Sequence, residues 1–328
     1  MSPAVGTLHD PLETLCIRPL HASASVSVYD VACRPHDKHR GSEERPLRHQ
    51  IVFPRRGVFE LESRGEKLIA DANHVLFFNR DEGYHVAHPA GRGDDCTVFA
   101  FDDRVLRAAL ELADPRWLDV VSGRGVPPTT SDALSQPFRF LHGASDERVF
   151  WAQERLRRAA QTPHPESLAL EEAALELLTA VLRGTYRTRG LSGQAVRSST
   201  RAAHSETVQR TRLFLATAFG EKASLDDVGR AVHASPFHLA RLFRRETGLT
   251  IHQYRHRLRL RAGLTRIVDG ETNLSTLALA LGFSSHSHLT DAFRLAFGIS
   301  PSECRKSLAV RRFREMSRDL EVPPPVKS

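Results

Sequence analysis

The sequence has few of the features that mark secreted, membrane-spanning or disordered proteins. Its four cysteines are widely scattered and include no CxxC pair, so they are poor material for a disulfide framework and fit a reducing cytosol. No run of the chain approaches the roughly 20 apolar residues of a membrane-spanning helix. Residues 1–10 lack the basic and apolar segments of a secretory signal. These absences predict a cytoplasmic protein without a membrane partner.

The composition that is present is globular, and its positive charge is unevenly placed. With 328 residues, of which 41% are apolar and 26% charged, the chain can bury a core and is expected to form two domains. Residues 206–306 hold 15 Lys or Arg against 9 Asp or Glu, whereas residues 1–205 are nearly neutral. A basic C-terminal third indicates a polyanionic partner, nucleic acid before an anionic membrane, although a solvated basic surface gives the same pattern.

Residues 24–101 have the pattern of a series of short strands. Apolar runs alternate with turn sequences at spacings of about 8–12 residues, which is typical of an antiparallel sandwich or a small barrel. The predicted strands are centred on 26–31, 51–53, 57–61, 68–70, 75–78, 84–87 and 96–101. Aromatic side chains in this region could line a ligand pocket, but a packed core is the more common use of aromatics in a small barrel: Phe53, Phe59, Phe77, Phe78, Tyr84, Phe99 and Phe101.

Helical patterns follow the strands. Segments 145–160 and 167–182 predict two helices joined by a proline-containing turn, and the second carries a broad apolar stripe that either packs within the chain or forms a dimer surface. Residues 187–205 are rich in Gly, Ser and Arg and predict a flexible linker. The predicted organisation is a domain of strands and helices over 1–186, the linker over 187–205, a helical domain over 206–306 and a basic, proline-containing tail over 307–328.

The C-terminal third contains one structural unit used twice, at an offset of fifty residues. Leu239 and Phe243 in the first copy correspond to Leu289 and Phe293 in the second, and the segment 248–250 corresponds to 298–300. In each copy a short amphipathic helix precedes a second helix, which begins after Ser235 or Ser285. Two short helices separated by a three- or four-residue turn, the second with a polar or basic outer face, describe a helix-turn-helix unit.

A longer helix over 251–268 is predicted to connect the two units. Such a connection can place both second helices in successive major grooves, about 34 Å apart along the duplex. Five arginines spread around this helix are candidates for neutralising phosphates: Arg255, Arg257, Arg259, Arg261 and Arg266. The helix N-termini near Ser224 and near the second cap, Asn273 or Ser275, are further candidates, because their backbone amides can point at phosphates.

These motifs together resemble the AraC/XylS family of bacterial transcription regulators. The resemblance covers about residues 207–306 and is carried by the segments 225–228, 235–248, 282–293 and 297–303. It implies an all-α domain with tandem helix-turn-helix units that binds double-stranded promoter DNA. The N-terminal region, roughly 20–185, resembles the family's cupin-like β-barrel sensor with dimerisation helices. The implied fold class is therefore α+β with two domains, and the implied assembly is a homodimer.

Carried over residue by residue, the resemblance places the DNA-binding positions on the second helix of each unit. In the first unit they are Phe237, His238, Ala240, Arg241, Arg244 and Arg245. In the second unit they are His286, Ser287, His288, Asp291 and Arg294. Two positions depart from the family's pattern, since Ala240 is apolar and Asp291 stands where arginine is usual. An aspartate repels phosphate but can accept a hydrogen bond from cytosine N4, so the second unit is expected to bind more weakly or to read an unusual base.

The N-terminal region is rich in histidine and holds two cysteines, which raises the question of a metal site or a thiol sensor. The residues concerned are Cys33, His36, His39, His49, His74, His85, His88 and Cys96. The closely spaced His-x-His pattern of enzymatic cupins is absent, and strand residues three apart, such as His85 and His88, point to opposite faces. Ordinary strand and loop residues are therefore the preferred interpretation, and no metal, cofactor or catalytic residue is predicted.

The leading hypothesis is a sequence-specific transcription regulator whose N-terminal domain senses a signal. The effector is not identified by the sequence; a small molecule is the expected class, and RNA polymerase is a partner if the protein is an activator. Two alternatives stay open: a cupin-type metal-dependent enzyme with an accessory DNA-binding domain, and a constitutive regulator whose sensor has degenerated. The chain contains no recognisable nucleophile motif that would favour hydrolysis.

The placement of Asp291 leads to a first test. The variant Asp291→Arg replaces a charge that repels phosphate with one that attracts it, so its general affinity for duplex DNA should increase. The measurement is a fluorescence-anisotropy titration with non-specific duplex DNA at fixed salt. Unchanged or lower affinity would refute the assignment of Asp291 to the DNA-facing side of the second unit.

Overall fold

The computed structural model describes residues 13–35, 40–113, 136–162, 165–189 and 198–309, which form a sheet-rich N-terminal domain and a helical C-terminal domain. The strands form two antiparallel sheets, one of six strands in the order β1-β2-β8-β3-β6-β9 and one of three in the order β5-β4-β7. Their bounds are β1 Glu13–Ala22, β2 Val26–Pro35, β3 His49–Arg56, β4 Phe59–Ser63, β5 Glu66–Ala70, β6 His74–Phe78, β7 Tyr84–Ala87, β8 Asp94–Phe101 and β9 His142–Ala144.

The inner strands β3, β6 and β8 of the six-stranded sheet are buried on both faces. Along β8, Cys96 and Val98 point towards the three-stranded sheet, whereas Phe99 and Phe101 point into a second core beneath the N-terminal helices. Alternate residues of a strand face opposite sides of a sheet, so one strand contributes to two cores. This explains why β8 reads as a nearly continuous apolar run with no polar face for solvent.

Ten helices occur in the described part of the chain, three of them in the N-terminal domain, one beginning after the 190–197 gap and six in the remaining C-terminal segment. Their bounds are α1 Asp103–Ala113, α2 Glu147–Ala160, α3 Ser167–Arg189, α4 Ser198–Ala218, α5 Leu225–Val232, α6 Pro236–Thr247, α7 Ile251–Val268, α8 Leu274–Ala280, α9 His286–Phe297 and α10 Pro301–Ala309.

The apolar stripe of α3 packs inside the chain. Leu170, Ala174, Leu177 and Leu178 are fully buried against the six-stranded sheet and the neighbouring helices. The dimer surface suggested for this stripe by its sequence is therefore not available, because the stripe completes the N-terminal core. Only Leu168, at the start of the helix, is largely exposed.

The ends of the predicted linker are helical. The helix α3 continues to Arg189 and α4 begins at Ser198, so helices occupy both ends of the 187–205 segment that was expected to be flexible; residues 190–197 lie outside the described chain. Further along α4, Val208 and Leu215 are buried in the C-terminal core. This packing stabilises the helix, because most helical stability in proteins comes from tertiary contacts. The predicted tail beyond residue 309 also lies outside the described residues.

The C-terminal domain contains the two predicted units. The first comprises α5 and α6 with three residues between them, and the second comprises α8 and α9 with five. The longer second turn contains Gly282, whose φ of +78° and close approach to the carbonyl of Gly220 leave no room for a Cβ. Gly248 and Gly298 end α6 and α9 in the left-handed conformation that favours glycine.

The two domains share an interface, called the interdomain seam below, which comprises α2 and the β5–β6 turn on one side and α7 on the other. Phe150 and Trp151 of α2, with Ala72 of the turn, belong to the same apolar cluster as the buried residues of the C-terminal helices. Other residues of α2, such as Val149 and Leu156, belong to the N-terminal core. The helix α2 is therefore part of both cores.

A buried arginine holds the seam together. Arg261 of α7 is fully buried and donates hydrogen bonds to Ala72 O at 2.5 Å, to Asn73 Oδ1 at 2.6 Å and to Ser145 O. Its guanidinium also lies over the ring of Phe150, with 5.2 Å between the guanidinium carbon and the ring centroid. Burial lowers the pKa of Arg261 to about 10, so the side chain is still charged at neutral pH.

Two further polar connections cross the seam beside Arg261. The hydroxyl of Tyr254 donates to Asp71 Oδ2 at 2.7 Å, and the hydroxyl of Thr265 donates to Glu154 Oε1 at 2.6 Å. Burial raises the pKa of Tyr254 well above its ordinary value, which keeps the phenol protonated as the donor. Tyr254, Arg261 and Thr265 all lie on α7.

The hydrogen bonds of Arg261 across the seam can be tested by replacing this residue. In Arg261→Met the methionine fills much of the space but leaves buried carbonyl oxygens without a donor, so the free energy of unfolding should fall by about 3 kcal/mol. The matched control is Arg266→Met, an exposed arginine on the same helix, which should change stability by less than about 0.5 kcal/mol. Urea unfolding followed by circular dichroism measures both; equal stabilities would contradict the role given to Arg261.

Candidate nucleic-acid interface

The second helix of the first unit presents a basic and aromatic surface. On α6, Leu239, Leu242 and Phe243 are buried, and this leaves the intervening positions on the outside. Phe237 is 74% exposed, and the guanidinium of Arg241 lies over its ring, 5.7 Å from the centroid. An arginine held against an aromatic face keeps its outer hydrogen-bond donors available.

The remaining predicted residues of α6 lie on the same outer surface. His238, Arg244 and Arg245 are exposed, and Ala240 is half-buried. Arg245 pairs with Glu246 at 2.8 Å and lies 3.2 Å from Nδ1 of His204 on α4, so α4 flanks this helix. The exposed face of α6 is therefore strongly positive and lies next to a second helix.

The second unit presents a face of different chemistry. His286, Ser287, His288, Asp291 and Arg294 of α9 are all exposed, whereas Leu289 and Phe293 are buried. This face carries one arginine and one aspartate in place of the three arginines of α6. It is consequently nearly neutral unless its histidines are protonated.

The histidines of the second unit are held by local contacts. His288 lies with Nδ1 3.0 Å from the hydroxyl of Ser284 and packs edge-on against Phe283. His256 of α7 packs against the same phenylalanine and against His252. Burial, followed by repulsion from the neighbouring positive groups, lowers the pKa of His256. The turn of the second unit is thus built around aromatic and imidazole rings.

Most of the arginines of α7 serve the protein rather than a ligand. Arg261 is buried in the seam, so the expectation that it neutralises a phosphate is wrong. Arg259 donates to Phe219 O at 2.6 Å and to Gly282 O at 2.9 Å, Arg255 donates to Ala223 O, and Arg257 pairs with Glu147. Carbonyl oxygens at helix ends need donors, and these side chains supply them. Arg266 alone of the five is exposed.

The helix starts differ in detail from the sequence-based expectation. Ser224 caps α5 and forms a reciprocal capping box with Asp227, and these hydrogen bonds lower the pKa of Asp227 to about 2. The cap of α8 is Asn273, so Ser275 lies within the helix. Ser235 occupies the N-cap position of α6 without a side-chain capping bond. The amide groups at the start of α5 are therefore partly occupied by the protein's own side chains.

The N-terminal domain contains a cavity of about 100 Å³ between its two sheets. Phe59, Phe78 and Tyr84 line it, whereas the other four aromatics suggested for a pocket lie in the core beneath the helices. The phenol of Tyr84 donates to Glu44 Oε2 at 2.8 Å at the cavity wall. The cavity is mostly apolar with a few polar groups, as small ligand sites usually are.

The histidines of this domain are spread over several environments. His74 lies in the seam beside Asp71, where burial lowers its pKa, His49 accepts from the backbone amide of Arg80, and His85 lies 3.1 Å from Gly41 O. His36 and His39 lie outside the described residues.

His88 lies beside Asp94, with 2.7 Å between Nε2 and Oδ1, and Cys33 is near both. The sequence did not point to Asp94 as a member of this group, because only the strand register places it beside Cys33.

Cys96 completes this group as a protonated thiol. Its Sγ donates to Asp94 Oδ2 at 3.1 Å. Burial and the nearby carboxylate raise the pKa of Cys96 well above its ordinary value. A thiol is far less readily oxidised than a thiolate, so the environment of Cys96 is not that of a redox sensor.

The duplicated units, with exposed second helices and a connecting helix buried between them, define a tandem helix-turn-helix domain, the class of fold that reads DNA with one helix per unit. A family model described as "Helix-turn-helix domain" matches residues 228–307. The match covers the C-terminal domain, and this domain is similar to the helix-turn-helix domains of AraC/XylS-type regulators.

The relatives match over part of their length. The HTH-type transcriptional activator RhaS of Pectobacterium atrosepticum is 26% identical over 166 residues, which cover 50% of this chain and 56% of that protein. The chain thus spans about half the length of the curated relatives that head the comparison. A solved AraC-type DNA-binding domain protein from Chromobacterium violaceum is 27% identical and covers 35% of this chain and 100% of its own, with a TM-score of 0.30.

Some solved structures cover most of this chain. Ligand-bound ToxT from Vibrio cholerae O395 covers 90% of this chain and 99% of its own, at 10% identity and a TM-score of 0.32.

None of the described helices is long and apolar enough to cross a membrane.

The different roles of the arginines lead to a test with an internal control. Arg244→Ala should weaken binding to all duplex sequences and lower the slope of log affinity against log salt by about 1 if the side chain neutralises one phosphate. Arg241→Ala should cost about 1–3 kcal/mol on the preferred sequence if it reads a base. Arg266→Ala, exposed but outside α6 and α9, should do neither. Equal effects from Arg244 and Arg266 would contradict this assignment; titrations over a salt series provide the measurement.

Proposed function

We propose that the chain is a sequence-specific DNA-binding transcription regulator whose N-terminal domain controls the helix-turn-helix domain. The observation that carries this proposal is the duplicated unit of the AraC/XylS type, with two exposed second helices on one connecting helix. The names of the relatives, such as the transcriptional activator RhaS, support the regulator over the metal-dependent enzyme.

The proposed DNA contacts are the exposed residues of α6 and α9. The arginines of α6 bind phosphates and guanine edges, and its Phe237 is available for contact with a thymine methyl group. The histidines and Ser287 of α9 read bases through hydrogen bonds, with Asp291 as an acceptor for cytosine. The first unit therefore supplies most of the affinity, and the second supplies discrimination between sequences.

The seam supplies the route by which a signal reaches DNA. Tyr254, Arg261 and Thr265 connect α7 directly to the N-terminal domain. Because α7 lies between the two helix-turn-helix units, any shift of this helix alters the placement of both second helices. A signal that binds one arrangement of the seam better than the other would change DNA binding by that difference in affinity.

The signal is proposed to be small. A cavity of about 100 Å³ is smaller than the engineered cavity of about 150 Å³ that holds benzene, so it suits a very small molecule or an ion unless its walls move. As further parts of the proposal, the protein acts in the cytoplasm, forms a homodimer through a surface other than the α3 stripe, and contacts RNA polymerase when it activates.

The test is selection from a random pool of duplex DNA, followed by titration of the selected sequence over a range of salt concentrations. Two enriched blocks about one helical turn apart and a log–log salt slope of several units are the expected result. A single block would show that only one unit reads sequence and would contradict the role given to α9. Absence of binding at low salt, with cell extract added to supply an effector, would overturn the proposal.

A further inference from the structure

The register of the larger sheet brings three polar side chains together at one end of the cavity. Cys33 of β2 is paired directly with Asp94 of β8, and Cys96 lies two residues further along β8. Paired residues of antiparallel strands point to the same face, as do residues two apart on one strand. All three are buried, with exposed fractions of 4–6%, and all three line the cavity between the two sheets.

An imidazole donor comes from the side of the opposite sheet. His88 directly follows β7 of the three-stranded sheet and is fully buried. Its Nε2 lies 2.7 Å from Asp94 Oδ1, and the donor atoms of Cys33, His88 and Asp94 all lie within 4.8 Å of one another. The group therefore spans the space between the two sheets.

The surrounding backbone fixes these positions. A Cβ on Gly93 would lie 1.9 Å from the carbonyl oxygen of Cys33, so this residue must be glycine for the two segments to approach. Arg34 donates to the carbonyl oxygens of both Cys33 and Asp94, at 2.8 and 2.9 Å. Cys33 and Asp94 are consequently set on paired strands and His88 directly follows a strand, which favours a pre-organised site.

The chemistry of the donors selects the class of ligand. Sulfur, imidazole nitrogen and carboxylate oxygen together suit a borderline divalent cation such as Zn²⁺, whereas Mg²⁺ and Ca²⁺ prefer oxygen alone. Around a tetrahedral zinc the donors would be about 3–4 Å apart, so the observed spacing needs adjustments of about 1 Å. One thiolate and one carboxylate would balance the charge of the ion, which matters because a buried net charge is costly.

We propose that Cys33, His88 and Asp94 bind one zinc ion per chain, while the protonated Cys96 thiol stays hydrogen-bonded to Asp94 as a neighbour of the site. Binding replaces the imidazole–carboxylate hydrogen bond with bonds to the ion and releases the proton of the Cys33 thiol. The ion joins the two sheets at the end of the cavity. This site is independent of whether the chain binds DNA.

The test uses the full chain after treatment with chelator and reductant. Zinc is titrated in competition with a chromophoric chelator, and Co²⁺ is used as a spectroscopic probe, because cobalt bound to thiolate shows charge-transfer absorption. One ion per chain is expected, with thiolate–cobalt absorption and a higher melting temperature in zinc. Cys33→Ser and His88→Ala should lower the affinity at least about 100-fold, more than the loss typical of an outer-shell partner.

The control is Cys16→Ser, which changes the exposed cysteine of the adjacent strand β1 and should bind zinc like the parent chain. Asp94→Asn keeps the shape of the side chain while removing its charge, so a folded Asp94→Asn variant with weakened binding supports the site even if His88→Ala does not fold. The proposal is overturned if the parent chain binds no zinc. It is also overturned if folded Cys33→Ser keeps the cobalt charge-transfer absorption, or if Cys16→Ser loses it.

Discussion

The burial of one guanidinium determines how the two domains of this chain are joined. Arg261 carries its charge into a region without solvent, where an ionised group is tolerated only if its donors are bonded. The acceptors all come from the other domain: two backbone carbonyls and the side chain of Asn73. The turn between β5 and β6 and the start of α2 must therefore keep their positions for the C-terminal domain to stay in place.

The same constraint shapes the DNA-facing surface. Since α7 uses Arg255, Arg257, Arg259 and Arg261 for contacts within the protein, the proposed DNA contacts fall on α6 and α9 rather than on this helix. The difference between α6 and α9 then has a structural basis, because the connecting helix does not make up for the near-neutral face of α9.

The sequence predicted local structure well and spatial relationships poorly. Strands β2 to β8 and the tandem units follow from alternation, turn residues and the fifty-residue repeat, which are all local signals. The strands β1 and β9 were missed. β9 is only three residues long and exists because it pairs with β6. The seam was missed as well, because nothing near Arg261 in the sequence distinguishes a buried arginine from its exposed neighbour Arg266.

The candidate sites also differ in whether local sequence patterns or contacts between distant residues define them. Exposed residues of α6 and α9 follow from helical periodicity once Leu239 and Leu289 are known to face inwards. The association of Cys33 with Asp94 depends on strand pairing across 61 positions of the chain, which periodicity does not encode. His85 and His88 were expected to point to opposite faces, and the structure places His85 near Gly41 O and His88 against Asp94.

The membership of α2 in two cores limits how the protein can change shape. Phe150 and Trp151 would be exposed to water if the C-terminal domain swung away, and exposing two such side chains costs roughly 3–6 kcal/mol before any polar contact is lost. A wide hinge opening is therefore improbable at equilibrium unless a ligand covers the uncovered face. A small sliding or rotation of α7 against α2 keeps these apolar side chains buried and therefore costs less free energy. Such a motion would reorient both helix-turn-helix units together.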